Sequence, residues 1–457
     1  MKNLGFGLKR FPDSDISPQL LFLKGRCEIE MEKLQKAAKT FESFTKRFPK
    51  SDYSERGANV QAIAAMESKD FDSAIEAWNV ILESDAKEFQ TLKPEAKYEI
   101  ACCLFEKEAY ADAEKTLSEL FEEYPEWDSM ERAFNQMVRV LMAQKKLQEA
   151  QDLLADMHGK FPESVLLRSL YFQLGTLWYS EGKMPEANQM FRRVLNETPK
   201  DPEDEGDFLH RNSELKLAWT IFNTEEYQET ESFIRSLELE PKLDVEISDE
   251  EKAEILANRA ELRYLLGMTH YFLRNPSQAL KELHEIRKDG ALKKIFAENA
   301  LEMCIQIYEE TEKWESVLKY GAEFCEIYPQ SAGGLRTNFK MAKAYFRLQN
   351  MEEALAKCEA IIAANDAVFT HQTLFLKGEI LFAQKQYQKA IQIFYQVIYG
   401  VEDEKLQADA MFETAQCFEA LGKKDKALTH YRDLLQKFPK YEKVKLIRRK
   451  MKKLHED

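Results

Sequence analysis

The feature that most constrains this chain is a short segment that recurs at a nearly constant spacing. Lys46–Ser51 reads KRFPKS and nearly copies KRFPDS at Lys9–Ser14, 37 residues earlier. Variants of this exit segment follow at Tyr124-Pro125, Phe161–Ser164, Tyr328–Ser331 and Phe438-Pro439. A recurrence at about 35–40 residues is typical of an array in which each repeat is one supersecondary unit. The sequence therefore predicts a repeat array.

A second pattern lies inside each repeat. Ala37 stands four positions before Phe41 and seven before Phe44, and the same place is taken by Ala74, Ala113, Ala150, Ala187, Thr230, Ala279, Val317, Ala354, Ala390 and Ala427. Twelve residues before each comes another small or apolar residue: Gly25, Ala62, Ala101, Val138, Gly175, Ala218, Gly267, Ile305, Ala342, Gly378 and Ala415. A polar break separates the two. We interpret each unit as helix A, a short turn and helix B, which approach backbone to backbone at the small residues. The proline then ends helix B.

This pattern resembles the tetratricopeptide repeat family. The closest matches are Gly175, Ala187, Phe191 and Pro199, then Gly378, Ala390 and Phe394, and then Ala415, Ala427, Tyr431 and Pro439. The resemblance implies an all-α fold, a right-handed α-solenoid of about eleven helical hairpins with a C-terminal capping helix. The exit segment is also similar to repeats of bacterial envelope proteins of the outer-membrane assembly and Tol-Pal-associated types.

Irregular spacing divides the predicted array. We expect a partial repeat or cap at 1–16, about five repeats at 17–200, an irregular repeat with acidic insertions at 201–252, about five repeats at 253–440 and a basic capping helix at 441–457. The irregular repeat either bends the array or carries surface loops. Ser248 and Glu251 form a capping box that predicts a long helix from Asp249 to Arg274. The first residues read as the tail of a helix B, so the native chain either begins earlier or carries a half-unit cap.

Composition restricts the function classes. The net charge of −15 argues against nucleic-acid binding, because an acidic protein repels phosphate backbones. The seven cysteines lack metal-ligand spacing, and no nucleotide-binding, hydrolase or metalloprotease motif occurs. We therefore expect neither catalysis nor a cofactor or metal. No apolar run is long enough to span a bilayer. The compartment stays open: cytoplasmic if Met1 is native, or periplasmic if the chain is trimmed.

The family resemblance implies that helix A lines a concave groove, chiefly through residues three before, one after and four after its small residue. These slots give the candidate partner-binding residues Phe172, Tyr179, Trp219, Phe222, Tyr264, Met268, Tyr271, Phe339, Lys343, Phe346 and Phe375. The Lys, Asn and Arg set that clamps terminal carboxylates in chaperone-binding members is absent. Aromatic anchors suit a hydrophobic or amphipathic segment. Alternatively, the outer slots pack against the adjacent repeat.

The function expected from these observations is a non-catalytic protein-interaction scaffold that binds a peptide or protein segment. One alternative is a structural subunit of an envelope assembly or secretion complex. Another is a carrier of a hydrophobic ligand or glycan. The oligomeric state and the identity of the partner are left open.

Overall fold

A computed structural model describes residues 2–12, 14–48, 51, 53–85, 89–197, 208–237, 239, 248–288, 296–364, 366 and 369–456. Over these residues the chain forms 24 α-helices and no β-strand. The predicted all-α solenoid is confirmed, since α1 is followed by eleven consecutive A–B helix pairs and by a final helix, α24.

The helices take the order that the small-residue pattern predicts. Helix α1 is Lys2–Arg10 and helix α24 is Val444–Glu456. The A–B pairs are α2 Ser17–Ile29 and α3 Leu34–Arg47; α4 Ser54–Glu67 and α5 Phe71–Glu83; α6 Lys93–Glu106 and α7 Tyr110–Glu123; α8 Met130–Ala143 and α9 Leu147–Lys160; α10 Leu166–Ser180 and α11 Met184–Asn196; α12 Phe208–Asn223 and α13 Tyr227–Ser236; α14 Asp249–Phe272 and α15 Pro276–Lys288; α16 Ala297–Glu310 and α17 Trp314–Ile327; α18 Gly334–Arg347 and α19 Met351–Ala363; α20 Phe369–Ala383 and α21 Tyr387–Gly400; α22 Glu404–Ala420 and α23 Lys424–Lys437.

The chain divides into two compact units, Met1–Thr224 and Glu225–Asp457, which we call unit 1 and unit 2. Residues 198–207 and 240–247, which hold most of the acidic insertions, lie outside the described residues. The proposed bend and the predicted domain boundaries therefore stay predictions. The long helix of unit 2 is confirmed: α14 begins at Asp249, and the Ser248 hydroxyl accepts the Glu251 N–H at 3.1 Å.

Within each unit the core runs from one hairpin into the next. In unit 1, one apolar cluster joins buried residues from α6 through α11. In unit 2, a cluster around Phe394 and Tyr431 joins helices α20 to α24. Stacked hairpins share their apolar faces in this way, because a single hairpin cannot bury its own.

The small residue of helix A makes room for a ring of helix B. A Cβ added at Gly25 would stand 2.5 Å from the Phe41 ring, and Gly378 meets the ring of Phe394 in the same way. The ring belongs to the bulky residue four positions after the small residue of helix B. This corrects the prediction of backbone-to-backbone contact: at these glycines an aromatic side chain fills the space between the helices.

The turn between helices A and B places one residue at positive φ in all eleven pairs. The residue five positions before the small residue of helix B has a positive φ, and it is Glu32, Lys69, Glu108, Lys145, Gly182, Glu225, Arg274, Glu312, Gln349, Lys385 or Gly422. At Lys385 the backbone makes the two bonds of a Schellman motif, Lys385 N–H to Phe382 C=O and Gln386 N–H to Leu381 C=O, both 2.9 Å. This motif satisfies the last carbonyls of helix A.

The exit segment is a turn that leads into the next repeat. The Ser331 N–H bonds the Tyr328 carbonyl at 3.1 Å, which closes a β-turn with Pro329 in the position that such turns favour. The Ser331 hydroxyl accepts the Gly333 N–H at 3.0 Å and donates to Glu298 Oε1 at 2.5 Å. Ser164 makes the equivalent bonds in unit 1. The serine thus has a structural role that the sequence analysis did not assign to it.

Helix α24 covers the end of unit 2. Ile447 is fully buried, and Val444, Met451 and Leu454 pack against the same core, as the predicted stripe requires. Lys450 forms an ion pair with Glu419 at 3.0 Å. The helix therefore serves as the predicted C-terminal cap.

All seven cysteines are free and lie on helices, four buried and three half-buried. Burial raises the pKa of the buried thiols of Cys103, Cys304, Cys358 and Cys417 to about 12, so they stay protonated near neutral pH. In the described part of the chain, no helix combines the length and the apolar character that crossing a bilayer requires.

Candidate partner-binding face

We call the surface formed by the predicted slots on the A helices the helix-A face. Its eleven candidate residues lie on α10, α12, α14, α18 and α20. Ten are half-buried, whereas Phe222 is buried with 8% exposure. Each therefore presents at most part of its surface to solvent. Several of the side chains contact the adjacent helix A, as the packing alternative expects, and partner binding at these residues stays a prediction.

In unit 1 the slots link α10 and α12. The Tyr179 hydroxyl accepts a hydrogen bond from Asn223 Nδ2 at 3.4 Å, and the Lys216 ammonium lies 5.7 Å from the centre of the Tyr179 ring. Both partners lie on α12, so Tyr179 holds two successive A helices together.

The other rings of unit 1 pack locally. Phe172 lies 6.1 Å from Phe191, its partner in the same hairpin. Trp219 meets Phe222 edge-on at 5.8 Å. The predicted residues of unit 1 thus have intramolecular contacts.

In unit 2 the slots of α14 contact the neighbouring repeat. The Tyr264 ring lies 5.5 Å from Phe296, and the Tyr271 hydroxyl donates to Glu310 Oε1 at 2.7 Å. This hydrogen bond raises the pKa of Tyr271 above its ordinary value. Met268, in the middle slot, is half-buried.

The later slots of unit 2 carry three rings. Phe339 lies 6.2 Å from Phe369, and Phe375 lies 5.6 Å from Phe394. Phe346 packs against the cluster that joins α18, α19 and α20. Each ring is anchored on its inner side and keeps part of its surface exposed.

Three of the predicted residues come together in one cleft, which we call the unit 2 cleft. Its volume is about 320 Å³, and it is lined by Phe339, Lys343, Gln372, Phe375, Leu376, Glu379, Asp403, Lys405, Leu406 and Asp409. The lining comes from α18, α20, the start of α22 and the residue before it, so three successive repeats form it. Apolar rings and acidic groups share its walls.

Glu379 is a member of this cleft that the predicted site residues omit. It occupies the middle slot of α20, one position after Gly378, and that placement is the sequence signal that marks it. Among the described residues, no hydrogen bond or ion pair to its carboxylate is found. Burial raises the pKa of Glu379 to about 7, and the nearby Glu413 carboxylate adds to the shift.

Three other charged groups of the cleft have partners, one of which is Asp403, whose Oδ1 accepts the backbone N–H groups of Lys405 and Leu406 at 2.8 and 3.0 Å. Lys343 is bonded to Glu309 of the preceding A helix. Asp409 accepts hydrogen bonds from the Tyr441 hydroxyl at 2.5 Å and from the Lys443 ammonium at 3.2 Å. The cleft therefore combines satisfied ion pairs with the carboxylate of Glu379, which lacks a partner among the described residues, and with the exposed Lys405 ammonium.

Unit 1 holds a second aromatic cleft, of about 530 Å³, that contains none of the predicted residues. Its lining includes Phe121, Trp127, Phe134, Phe161 and Lys160. Trp127 and Phe161 belong to exit turns, so this cleft lies where one repeat ends and the next begins. The Lys160 ammonium lies 4.7 Å from the centre of the Phe134 ring.

Over the described ranges, no group of three or more His, Cys, Asp or Glu side chains is arranged to hold a metal ion.

Two family profiles, both described as tetratricopeptide repeat, match the chain. One matches residues 19–51 and 409–441, and the other matches residues 59–126 and 339–405. This chain is a tetratricopeptide repeat protein. Solenoids of this kind present extended binding surfaces, and the array is accordingly a protein-interaction scaffold.

Solved structures similar to this tetratricopeptide repeat protein include the Naa15/Naa10 complex bound to HypK-THB, which is 14% identical with a TM-score of 0.41. That match covers 96% of this chain and 66% of the other. The P58(IPK) TPR domain is 19% identical, with a TM-score of 0.27. That match covers 79% of this chain and 97% of the P58(IPK) chain. A tetratricopeptide repeat protein from Parabacteroides merdae is 14% identical, with a TM-score of 0.30. That match covers 70% of this chain and 98% of the Parabacteroides chain. None of the curated protein sequences compared with the chain matches it.

Proposed function

We propose that this protein is a non-catalytic scaffold that holds a peptide or protein segment of a partner on its helix-A face, at the unit 2 cleft. The observation that carries the proposal is the convergence of Phe339, Lys343 and Phe375 from two successive A helices on one cleft. Leu376 and Leu406 add apolar surface between them. Aromatic and aliphatic groups that are anchored by their own packing are the usual hot spots of a binding surface.

The position of the cleft also supports the proposal. It is built from three successive repeats, so an extended segment that crosses it would contact α18, α20 and α22 in turn. Charged groups at the rim would fix the direction and register of the segment, while the rings supply most of the binding energy.

Selection from a random peptide phage library against the full chain tests this proposal. Selected peptides are then measured by fluorescence anisotropy against the wild type and against Gln372→Trp. Gln372 is exposed and lines the cleft, so an indole there fills the cleft without disturbing the core. We expect the selected peptides to bind Gln372→Trp at least about tenfold more weakly than the wild type.

Gln388→Trp is the matched control. Gln388 is an exposed glutamine on helix B of the same hairpin and does not line the cleft. Selected peptides should bind this variant as they bind the wild type. Failure to enrich any peptide, or equal binding to the two tryptophan variants, would contradict the proposal.

A further inference from the structure

The unit 2 cleft has a charge pattern that specifies its ligand. We propose that Glu379 anchors a lysine or arginine side chain of the bound segment, and that an apolar side chain next to it packs on the rings of Phe339 and Phe375. This inference rests on the proposed function and adds the chemical class of the partner: an amphipathic, cationic segment.

The first support is that Glu379 is an exception among the acidic residues of the helix-A face in unit 2. Glu302 pairs with Arg336 at 2.9 Å, and Glu419 pairs with Lys450 at 3.0 Å. Glu309 and Asp409 are held by lysines of a neighbouring element. Glu379 is half-buried and its carboxylate has no partner among the described residues, which is costly when the group is ionised, so a cation from outside would recover part of that cost.

The second support is that nearby cations do not supply the missing partner. Arg347 and Lys443 are close enough to lower the pKa of Glu379, yet neither forms an ion pair with it. Lys443 is committed to Asp409. Asp409 and Glu413 also act on Glu379, and their negative charge strengthens the attraction for an incoming cation.

The third support is the aromatic surface that lies beside Glu379 in the cleft. Phe339 and Phe375 line the same cleft as Glu379, so a bound lysine or arginine would lay its aliphatic stem along aromatic surface and place its charged end at the carboxylate. Rings also attract cations through their faces. A neutral or acidic apolar segment would leave the Glu379 carboxylate buried and unpaired.

A defined probe tests the inference: a short fluorescein-labelled peptide of alternating leucine and lysine, measured by anisotropy on the full chain at near-physiological salt. We expect it to bind the wild type, to bind Glu379→Gln about tenfold more weakly, and to bind Gln372→Trp weakly as well. The corresponding leucine–glutamate peptide should not bind. Glu353→Gln removes the same charge from an exposed position outside the cleft, so it should leave the affinity unchanged.

The pH dependence separates an electrostatic role of Glu379 from a structural one. Cation binding competes with the proton on Glu379, so the affinity of the leucine–lysine peptide should rise between pH 6 and pH 8. Other charged groups also face this region: Lys343 and Arg347 of α18, Asp403, Lys405, Asp409 and Glu413 at or in α22, and Lys443 before α24. The rise should therefore shrink in Glu379→Gln without vanishing.

The outcomes distinguish the two proposals. If Gln372→Trp abolishes peptide binding but Glu379→Gln does not, the cleft binds peptides and the cationic anchor is wrong. Equal binding of the leucine–lysine and leucine–glutamate peptides also overturns the anchor, as does an absence of leucine–lysine binding to the wild type. The phage selection can still succeed in each of these cases, so the proposed function is tested independently.

Discussion

At the scale of single residues, our proposal makes Glu379 a side chain adapted to binding rather than to stability. Its carboxylate lies beside two aromatic rings in the unit 2 cleft and has no partner among the described residues, although lysines satisfy comparable carboxylates on the same face. Such a group destabilises the folded chain whenever it is ionised. The cost is consistent with a site that a ligand completes.

The stability of the protein should report this cost. The pKa of Glu379 is about 7 in the folded chain against an ordinary value of 4.5, so the folded state binds more protons than the unfolded state between these values. Unfolding free energy therefore falls as pH rises through this window, and the loss is complete above pH 7. Glu379→Gln should be more stable than the wild type by about 1–3 kcal/mol at pH 8 and by less at pH 6.

Urea unfolding followed by circular dichroism measures this difference. Glu353→Gln is the control, because its exposed carboxylate should give no such pH-dependent gain. A Glu379→Gln variant that is less stable than the wild type at pH 8 would show that the carboxylate has a stabilising partner.

At the scale of the structural elements, the A–B turns place chemically different residues at the same positive-φ position. All eleven turns place one residue at positive φ, and only Gly182 and Gly422 are glycines. Schellman hydrogen bonds, as at Lys385 and Gly422, stabilise this geometry whatever the side chain is, and a residue with a Cβ is strained there by about 1–2 kcal/mol.

Exchanging the residues of two equivalent turns tests this account. Lys385→Gly relieves the strain at φ +62° and should raise the unfolding free energy by about 0.5–1 kcal/mol. Gly422→Lys introduces the strain at φ +71° and should lower it by a similar amount. Thermal denaturation of the two variants checks the signs, and equal effects in the same direction would contradict the account.

The elements also show what the sequence can and cannot predict. The order of the helices and the start of α14 at Asp249 follow from local signals, because small-residue spacing and an N-cap serine act within a few residues. The positive φ of the turn cannot be predicted from the sequence, because charged residues rather than glycines occupy most of these positions. Lys443 acts on Glu379 but pairs with Asp409, 34 positions earlier in the chain, so the isolation of Glu379 depends on a choice between side chains that are distant in sequence.

At the scale of the whole molecule, the protein is a series of hairpins in two compact units, and the described helices of each unit pack on their neighbours in chain order. In such an array the stability and the ligand response of a hairpin depend mainly on adjacent hairpins. A ligand at the unit 2 cleft should therefore act on a contiguous part of unit 2.

Hydrogen–deuterium exchange of the full chain, with and without the leucine–lysine peptide, tests the central claim most directly. The peptide should slow exchange in α18, α20 and the start of α22, the elements that line the cleft. Little change is expected in α2 to α11 of unit 1. Protection confined to unit 1, or spread equally over the A and B helices of unit 2, would contradict this claim.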